Sequence, residues 1–293
     1  MRKGIVAGFV VAATTAQLAA QQGGAQFTSF QIEATGGWSS TSTDTSPDAD
    51  LNEFFVGGTY HLKPVMLADH PWNEAAFLEH STFAQVGLAF DDLEVGNFSA
   101  DGPLFRIGGT YADKEKPVAA QVNLQIGTLD GDSGVDVDLM TFNGRVGYWL
   151  QPNAIVGAQL TLDETEIGSS VDVDKLSFGA FGKIVHPLGE GRSINGEAHL
   201  DLVSVDDQVS DETNVEFGVA ADYYFTKQYS VGALVNLSFG DAASEEGITL
   251  GLRGTAWITP QVSVNAAFST FMADDDTFGA DQDFFSLFVT ARF

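Results

Sequence analysis

The chain has 293 residues, of which 40 are acidic, 13 are basic and none is cysteine, and its formal net charge is −27 at pH 7. This charge argues against a nucleic-acid partner, because a phosphate-binding surface needs clustered Lys and Arg. The lack of cysteine excludes a disulfide scaffold, a thiolate-ligated zinc site and a cysteine nucleophile. After residue 22 no continuous apolar run is long enough for a transmembrane helix.

The N-terminus has the pattern of a secretory signal peptide. A short basic start, Arg2-Lys3, precedes an apolar and uncharged stretch of mostly small residues. The alternative is a membrane anchor, for which the stretch is short. We therefore predict a signal peptide over residues 1–20, with cleavage as late as residue 25 as a variant, and an exported folded domain over residues 26–293.

From about residue 27, apolar side chains alternate with polar or small ones, and this period of two indicates β-strands with two different faces. In the segment 215–225 the odd-numbered residues are apolar or aromatic, and the even-numbered ones include Glu216, Gly218 and Asp222. The alternation predicts fourteen strands, with twelve or sixteen as alternatives. They span residues 27–40, 51–62, 80–90, 102–111, 117–128, 137–150, 154–163, 175–186, 193–205, 213–225, 228–239, 246–258, 261–272 and 283–293.

The connections between these segments are of two alternating kinds. Short turns, often with Pro or Lys, follow aromatic residues such as Trp149, Tyr224 and Trp257, whereas the other connections are longer and rich in Asp, Ser, Gly and Glu. This alternation is typical of an up-and-down barrel, and aromatic residues beside the turns fit a girdle at a membrane surface. Since the apolar face of each strand lacks charge, we predict an all-β, closed antiparallel up-and-down transmembrane β-barrel.

The signal peptide, the alternating strands, the aromatic turns and the terminal strand Phe288–Phe293 together resemble the outer-membrane porins of Gram-negative bacteria. The segment Pro71–Glu79, with its Glu-Ala-Ala-Phe-Leu core, is similar to the family of putative general bacterial porins. This resemblance covers residues 27–293 and implies passive diffusion of small hydrophilic solutes across the outer membrane. It also implies that the barrel-insertion machinery recognises Phe293, and it transfers no binding residues.

Charge is distributed unevenly over the connections. The longer loops hold 28 of the 40 acidic residues and no Lys or Arg, whereas the opposite connections hold Lys63, Lys114, Lys116, Arg192 and Lys227. An even number of strands with a periplasmic N-terminus places the acidic loops outside the cell, where they should attract cations and repel anions. The alternative is that the acidic loops only keep the surface hydrated.

The inward strand faces carry nearly balanced charge. The predicted pore-lining residues are the acids Glu33, Glu53, Glu197, Asp201, Glu216 and Asp222 and the bases Arg106, Arg145, Lys183, Arg253 and Arg292. Opposed charges across the lumen would orient dipolar solutes, whereas neighbouring charges would neutralise each other as ion pairs. The longest connection, the periplasmic link over residues 63–79, is predicted to contain a short helix and to cap one end of the pore, without a deep constriction.

Other chemistry has little support in the sequence. Four carboxylates near one hairpin tip are weak metal candidates: Asp130, Asp132, Asp136 and Asp138. Their spacing lacks the pattern of a calcium-binding loop and its closing Glu, and a solvated loop explains them as well. His199 shares a strand face with Glu197 and Asp201, but no Ser motif accompanies it, so we predict ion pairing rather than catalysis. We predict no cofactor and no enzymatic activity.

These observations predict a water-filled passive channel for small hydrophilic solutes with a preference for cations. Two other functions remain open: a substrate-selective uptake channel lined by aromatic residues, and a structural or adhesive barrel whose acidic loops bind cations. The expected partners are outer-membrane lipid, the solutes and cations themselves and the barrel-insertion machinery, with no nucleic acid. A monomer and a homotrimer are both compatible with the mixed outward faces.

Overall fold

The computed structural model describes residues 27–44, 48–67, 70–132, 134–168, 171–207, 211–240, 246–273 and 281–293, and the predicted signal peptide lies outside this part of the chain. The strands are β1 (Ser29–Thr43), β2 (Ala49–Met66), β3 (Phe83–Val95), β4 (Phe98–Tyr111), β5 (Val118–Gly131), β6 (Val137–Gln151), β7 (Ala154–Ile167), β8 (Val171–Gly189), β9 (Arg192–Asp207), β10 (Asp211–Tyr224), β11 (Tyr229–Gly240), β12 (Gly247–Thr259), β13 (Val262–Ala273) and β14 (Gln282–Arg292). Between β2 and β3 a 3₁₀ turn, Trp72–Glu74, runs into the short helix α1, Ala75–Leu78. Within the described residues, no helix is long and apolar enough to cross a membrane.

The strands form one closed barrel in which neighbours in sequence pair antiparallel and β1 pairs with β14. Trp38 of β1, for example, lies between Phe54 of β2 and Leu287 of β14. The prediction of a closed antiparallel barrel with fourteen strands is confirmed. We call the end where β1 begins and β14 ends the turn end, because the short turns lie there, and the opposite end the loop end.

The two faces of the barrel wall differ as the period of two predicts. Leu252 on the outside is 63% exposed, whereas the next residue, Arg253, forms an ion pair with Asp222 inside the barrel. In the same way Leu200 is exposed outside, and Asp201, which follows it, is buried inside. A wall with an apolar outer face is stable in lipid, and closure leaves no unpaired strand edge there.

The strands extend further at the loop end than the sequence predicts. β3 reaches Val95 and β4 begins at Phe98, so a tight turn replaces the predicted loop over residues 91–101. Gly96 occupies this turn with a φ of 58°, which glycine adopts without strain. Hydrophobic alternation does not mark the extension because acids such as Asp92 stand on the outward face beyond the apolar belt.

An apolar cluster fills part of the lumen beside β3, β4, β5 and β6. Its fully buried members are Ala89, Ala100, Leu104, Leu129 and Val137. Gly127 makes room for this packing, because a Cβ at that position would collide with the Leu104 side chain. The cluster narrows the open lumen on this side of the barrel.

Candidate functional site

The link between β2 and β3, residues 67–82, folds into the lumen at the turn end. It starts beside the wall near Leu62, whose N–H donates to the Thr82 carbonyl at 2.9 Å, and it reaches the far side, where the Trp72 N–H donates to the Lys227 carbonyl at 2.9 Å. Lys227 belongs to the turn between β10 and β11. The link therefore spans the barrel mouth. The sequence predicts a cap at one end of the pore, and the link lies at that end; its contacts with the inner wall are an additional finding.

Apolar contacts hold the link against opposite parts of the wall. Ala75 of α1 is fully buried and packs in one cluster with Phe30 of β1 and Val65 of β2. Phe77 packs on Trp149 of β6, with 4.9 Å between the ring centroids. Burial of apolar surface at Ala75 stabilises the inserted position, and the aromatic pair of Phe77 with Trp149 adds about 0.5–1.5 kcal/mol beyond its area burial.

Glu74 is the charged anchor of the link and is only 4% exposed. One carboxylate oxygen accepts a hydrogen bond from the Tyr224 hydroxyl at 2.9 Å, and the other lies 2.9 Å from the Lys183 ammonium. Lys183 also lies 3.1 Å from Glu197 and 4.9 Å from the centroid of the Phe77 ring. Buried charges are tolerated only when they are paired, so this arrangement fixes the link in one position.

Arg292 fastens the link to the seam between the first and last strands. Its Nη1 donates to the Trp72 carbonyl at 2.9 Å, and its Nε donates to the Glu33 carboxylate at 2.7 Å. Its guanidinium carbon lies 4.1 Å from the ring centroid of Phe30 and 3.8 Å from that of Trp257. One side chain thus joins β1, β14 and the link through hydrogen bonds and cation–π contacts.

A second ion pair secures the C-terminal part of the link. Glu79 lies 2.7 Å from the Lys114 ammonium and 2.8 Å from Nε2 of His70. Burial raises the pKa of the Glu79 carboxyl, but the hydrogen bonds from Lys114 and His70 outweigh burial and hold this pKa below its ordinary value. The next residue, His80, stacks on Trp149 with 3.7 Å between ring centroids.

We expect Glu79→Gln to lower barrel stability by at most about 1 kcal/mol at neutral pH, because Lys114 is largely exposed and such pairs are weak. The folded-state pKa is lowered, so the carboxylate stabilises the fold fully above its ordinary pKa of 4.5, and this contribution is lost as the pH falls through the lowered value. The measurement is the difference in thermal midpoint between wild type and variant from neutral to strongly acidic pH. Glu115→Gln, on the neighbouring turn, is the control. A difference that stays constant over the whole range would contradict this assignment.

The structure places the eleven predicted pore-lining residues on the inward face, and most of them lie in pairs. The four pairs of a predicted base with a predicted acid are Arg292 with Glu33, Arg106 with Glu53, Lys183 with Glu197, and Arg253 with Asp222. Asp201 accepts a hydrogen bond from Gln159 at 2.8 Å, and Glu216 lies 3.9 Å from Lys175. Arg145 is the remaining predicted base. Local pairing therefore accounts for most of the wall charge.

Three members of this network do not stand out in the sequence. Glu74 appears there only within the link, and Tyr224 only as an aromatic residue beside a turn. Asn195 joins the two wall pairs, because its amide donates to Glu197 and to Asp222, each at 2.9 Å. The one available signal is the carboxylate before the Ala-Ala-Phe-Leu segment, since an acid next to apolar residues needs a partner if the segment is buried.

Two cavities flank α1 inside the barrel, with volumes of about 510 Å³ and 580 Å³. Phe77, Lys183 and Arg253 border both of them. The smaller cavity extends to Arg145 of β6, and the larger one extends to Thr290 of β14. The link and the ion pairs of Lys183 thus divide the lumen at the turn end into two compartments.

The acidic hairpin of β5 and β6 gains no support as a metal site. Across the described parts of the chain, no three His, Asp or Glu side chains come close enough to hold a metal ion. Asp138 accepts a hydrogen bond from the Thr128 hydroxyl at 2.6 Å. The other weak metal candidates, Asp130, Asp132 and Asp136, belong to no such group of described residues either.

A closed antiparallel barrel with an apolar exterior and a charged interior has the architecture of an outer-membrane β-barrel. The model of the family described as putative general bacterial porin matches residues 5–293. The chain belongs to this family, which confirms the resemblance found in the sequence. No curated protein sequence matches the chain.

Solved structures share the fold at low sequence identity. The outer membrane protein Omp33 of Acinetobacter baumannii is 20% identical, with a TM-score of 0.58 over 92% of this chain and 100% of that chain. The deltaS2S3 mutant of TodX, the monoaromatic hydrocarbon channel of Pseudomonas putida, is 10% identical, with a TM-score of 0.52 over 90% of this chain and 91% of that chain. These similarities show the fold alone. The family and the fold together support a porin-type channel in the outer membrane of a Gram-negative bacterium, with a transport role rather than an enzymatic one.

Proposed function

We propose that the protein is a passive channel for small hydrophilic solutes and that it prefers cations. The observation that carries the cation preference is the contrast between the wall and the loops. Wall charges are largely neutralised in pairs, whereas the segments that the sequence predicts as longer loops hold 28 acidic residues and no Lys or Arg. This excess of acids over bases at the loop end would raise the local cation concentration and lower that of anions.

The direction of the barrel follows from its two ends. β1 begins and β14 ends at the turn end, together with the short turns and the link. Bacterial outer-membrane barrels have short periplasmic turns and longer extracellular loops. We therefore assign the turn end to the periplasm and the acidic loop end to the cell exterior.

The link restricts the solutes that can pass. It leaves compartments of about 510 Å³ and 580 Å³ beside α1, a size that in other proteins holds one small molecule. Both compartments are bordered by charged side chains such as Lys183 and Arg253, which favour hydrated solutes over lipids. Small hydrophilic molecules and ions are the class that suits this passage.

In a planar bilayer under a potassium chloride gradient, we expect the reversal potential to have the sign of cation selectivity and to shrink at high salt. The screening length falls from about 10 Å at 0.1 M to about 3 Å at 1 M, so the effect of the loops should fade over this range. Three substitutions together, Asp92→Asn, Glu94→Gln and Asp101→Asn, should move the potential toward zero. The control removes two acids from the turn end, Glu115→Gln and Glu190→Gln, and should change it less.

The outcomes of this measurement separate the two parts of the proposal. A reversal potential that is zero or has the sign of anion selectivity at low salt would overturn the cation preference. The proposed channel function would not be affected by that result. Lack of conductance in a folded barrel, both in the wild type and after removal of the link, would overturn the channel itself. A structural or adhesive barrel would then be the better interpretation.

Substrate-selective uptake is the second candidate function. Trp149 and Phe181 border the smaller cavity, and Tyr224 and Trp257 lie buried beside the link. Aromatic surfaces of this kind would retain a solute rather than let it pass freely. Saturable block of the conductance by one solute class would favour this function over general diffusion.

A further inference from the structure

Arg145 differs from the other predicted bases of the wall. Among the described residues, no carboxylate lies within ion-pair distance of its guanidinium, whose carbon lies 5.4 Å from the centroid of the Phe181 ring. The side chain is exposed to the lumen. A guanidinium held on an aromatic face keeps its five N–H donors available for a ligand.

The wall beside Arg145 offers it neutral neighbours, and two inward acids of β9 already have hydrogen-bond donors. Its cross-strand neighbours are the neutral Gln121 on β5 and Gln159 on β7. Gln159 donates to both carboxylate oxygens of Asp201, each at 2.8 Å. Glu197 accepts from Lys183 and Asn195 (at 3.1 and 2.9 Å). Arg145 is therefore a positive group with neutral cross-strand neighbours, and these two acids are bound by other donors.

The cavity of about 510 Å³ in front of Arg145 has an unusual charge balance for this chain. Its charged border consists of the bases Arg145, Lys183 and Arg253 and the acid Glu197, although the chain as a whole has a net charge of −27. Lys183 is held in ion pairs with Glu74 and Glu197, and Arg253 in an ion pair with Asp222. Arg145 is therefore the base at this border that is left to attract an anion.

The same cavity offers apolar surface and a second donor without a partner. Phe77, Phe181 and Trp149 border it. Trp149 is 8% exposed, and its Nε1 has no hydrogen-bond acceptor among the described residues. Buried donors normally have acceptors, so the indole N–H of Trp149 is available to a ligand in this cavity.

We propose that this cavity binds an aromatic carboxylate, with its carboxylate on Arg145 and its ring against Phe181 and Phe77. A guanidinium binds a carboxylate through two parallel charge-assisted hydrogen bonds, and the rings cover the apolar body of the ligand. The inference deepens the proposed function, because it names a class of solute for the same lumen. The acidic loops would slow the entry of such a solute more than they weaken its contact, since distant charge acts mainly on the association rate.

The test is calorimetric titration of the complete, detergent-solubilised barrel with benzoate. We expect saturable binding to wild type, weakened at least about tenfold in Arg145→Gln, since a charge-assisted hydrogen bond contributes about 1.5–3 kcal/mol and 1.4 kcal/mol is a factor of ten. Arg192→Gln removes the same charge from an exposed turn and should bind as wild type does. Benzamide, which has the ring without the charge, should bind at least about tenfold more weakly than benzoate.

Four results would overturn this site. They are lack of benzoate binding by the folded wild type, equal binding by Arg145→Gln, equal binding of benzamide, and displacement of benzoate by an equal concentration of inorganic phosphate, which would indicate a general anion site. The variants are checked for folding by their heat-dependent electrophoretic mobility. Since binding in detergent does not require conduction, a barrel that binds benzoate without conducting would overturn the proposed channel and not this site.

Discussion

Replacement of residues 63–81, which comprise the end of β2 and nearly all of the link, by the two-residue turn Asn-Gly should raise the single-channel conductance several-fold. Leu62 and Thr82 flank the replaced segment and are already hydrogen-bonded at 2.9 Å, so a two-residue turn can join β2 to β3. The replacement removes Glu74 and Phe77 from the lumen and merges the two cavities that α1 separates. Recordings of both proteins in the same bilayer and salt give the ratio of conductances.

A point variant separates the position of the link from its length. Glu74→Gln keeps all residues of the link but removes the ion pair with Lys183, so we expect the wild-type conductance interrupted by brief, larger openings. Glu115→Gln, on a turn at the same end, should behave as wild type. If the barrel without the link conducts no better than the wild type, the link does not limit passage.

Arg292→Met should destabilise the folded barrel by about 3 kcal/mol or more. The substitution keeps much of the side-chain volume but leaves the Glu33 carboxylate with only its contact to His61 at 3.1 Å. Truncation of one partner of a buried pair costs about 3–5 kcal/mol. It also removes the hydrogen bond to the Trp72 carbonyl and the cation–π contacts with Phe30 and Trp257. The temperature at which the folded electrophoretic band disappears measures the effect.

Two further variants show whether the pair or the shape of the side chain matters. Glu33→Gln combined with Arg292→Met removes the stranded charge and should recover part of the lost stability. Arg192→Met makes the same substitution on an exposed turn and should shift the unfolding temperature little, as surface changes usually do. Equal unfolding temperatures for the Arg192 and Arg292 variants would contradict the role of Arg292.

The barrel itself is predictable from the sequence because one physical constraint acts at every second residue. Outward side chains such as Leu252 must suit lipid and inward ones such as Arg253 must suit water, so the alternation persists along each strand. Outward side chains that lie outside the lipid bilayer are not under this constraint. For that reason the sequence places the end of β3 near residue 90, whereas hydrogen bonding continues to Val95.

The lumen is only partly predictable. The sequence assigns Glu33, Glu197 and Arg292 to the inward face from the alternation of side chains along each strand. This alternation does not tell which charged side chains form ion pairs with each other. The contact of Glu74 with Tyr224 joins residues 150 positions apart, and no local pattern records it. The link illustrates the same limit, since its short helix is visible in the sequence and its direction into the barrel depends on distant partners.

The position of Arg292 has a consequence for the order of assembly. The link belongs to the second hairpin made during synthesis, yet the guanidinium that holds the Trp72 carbonyl is 220 residues away, next to the last residue of the chain. The partners of Glu74 in the link, Lys183 on β8 and Tyr224 on β10, are also synthesised much later than the link. The complete binding surface for the link therefore exists only after β14 has joined β1. A barrel in the course of insertion would keep its mouth free, and the link would settle last, as the step that completes closure of the seam.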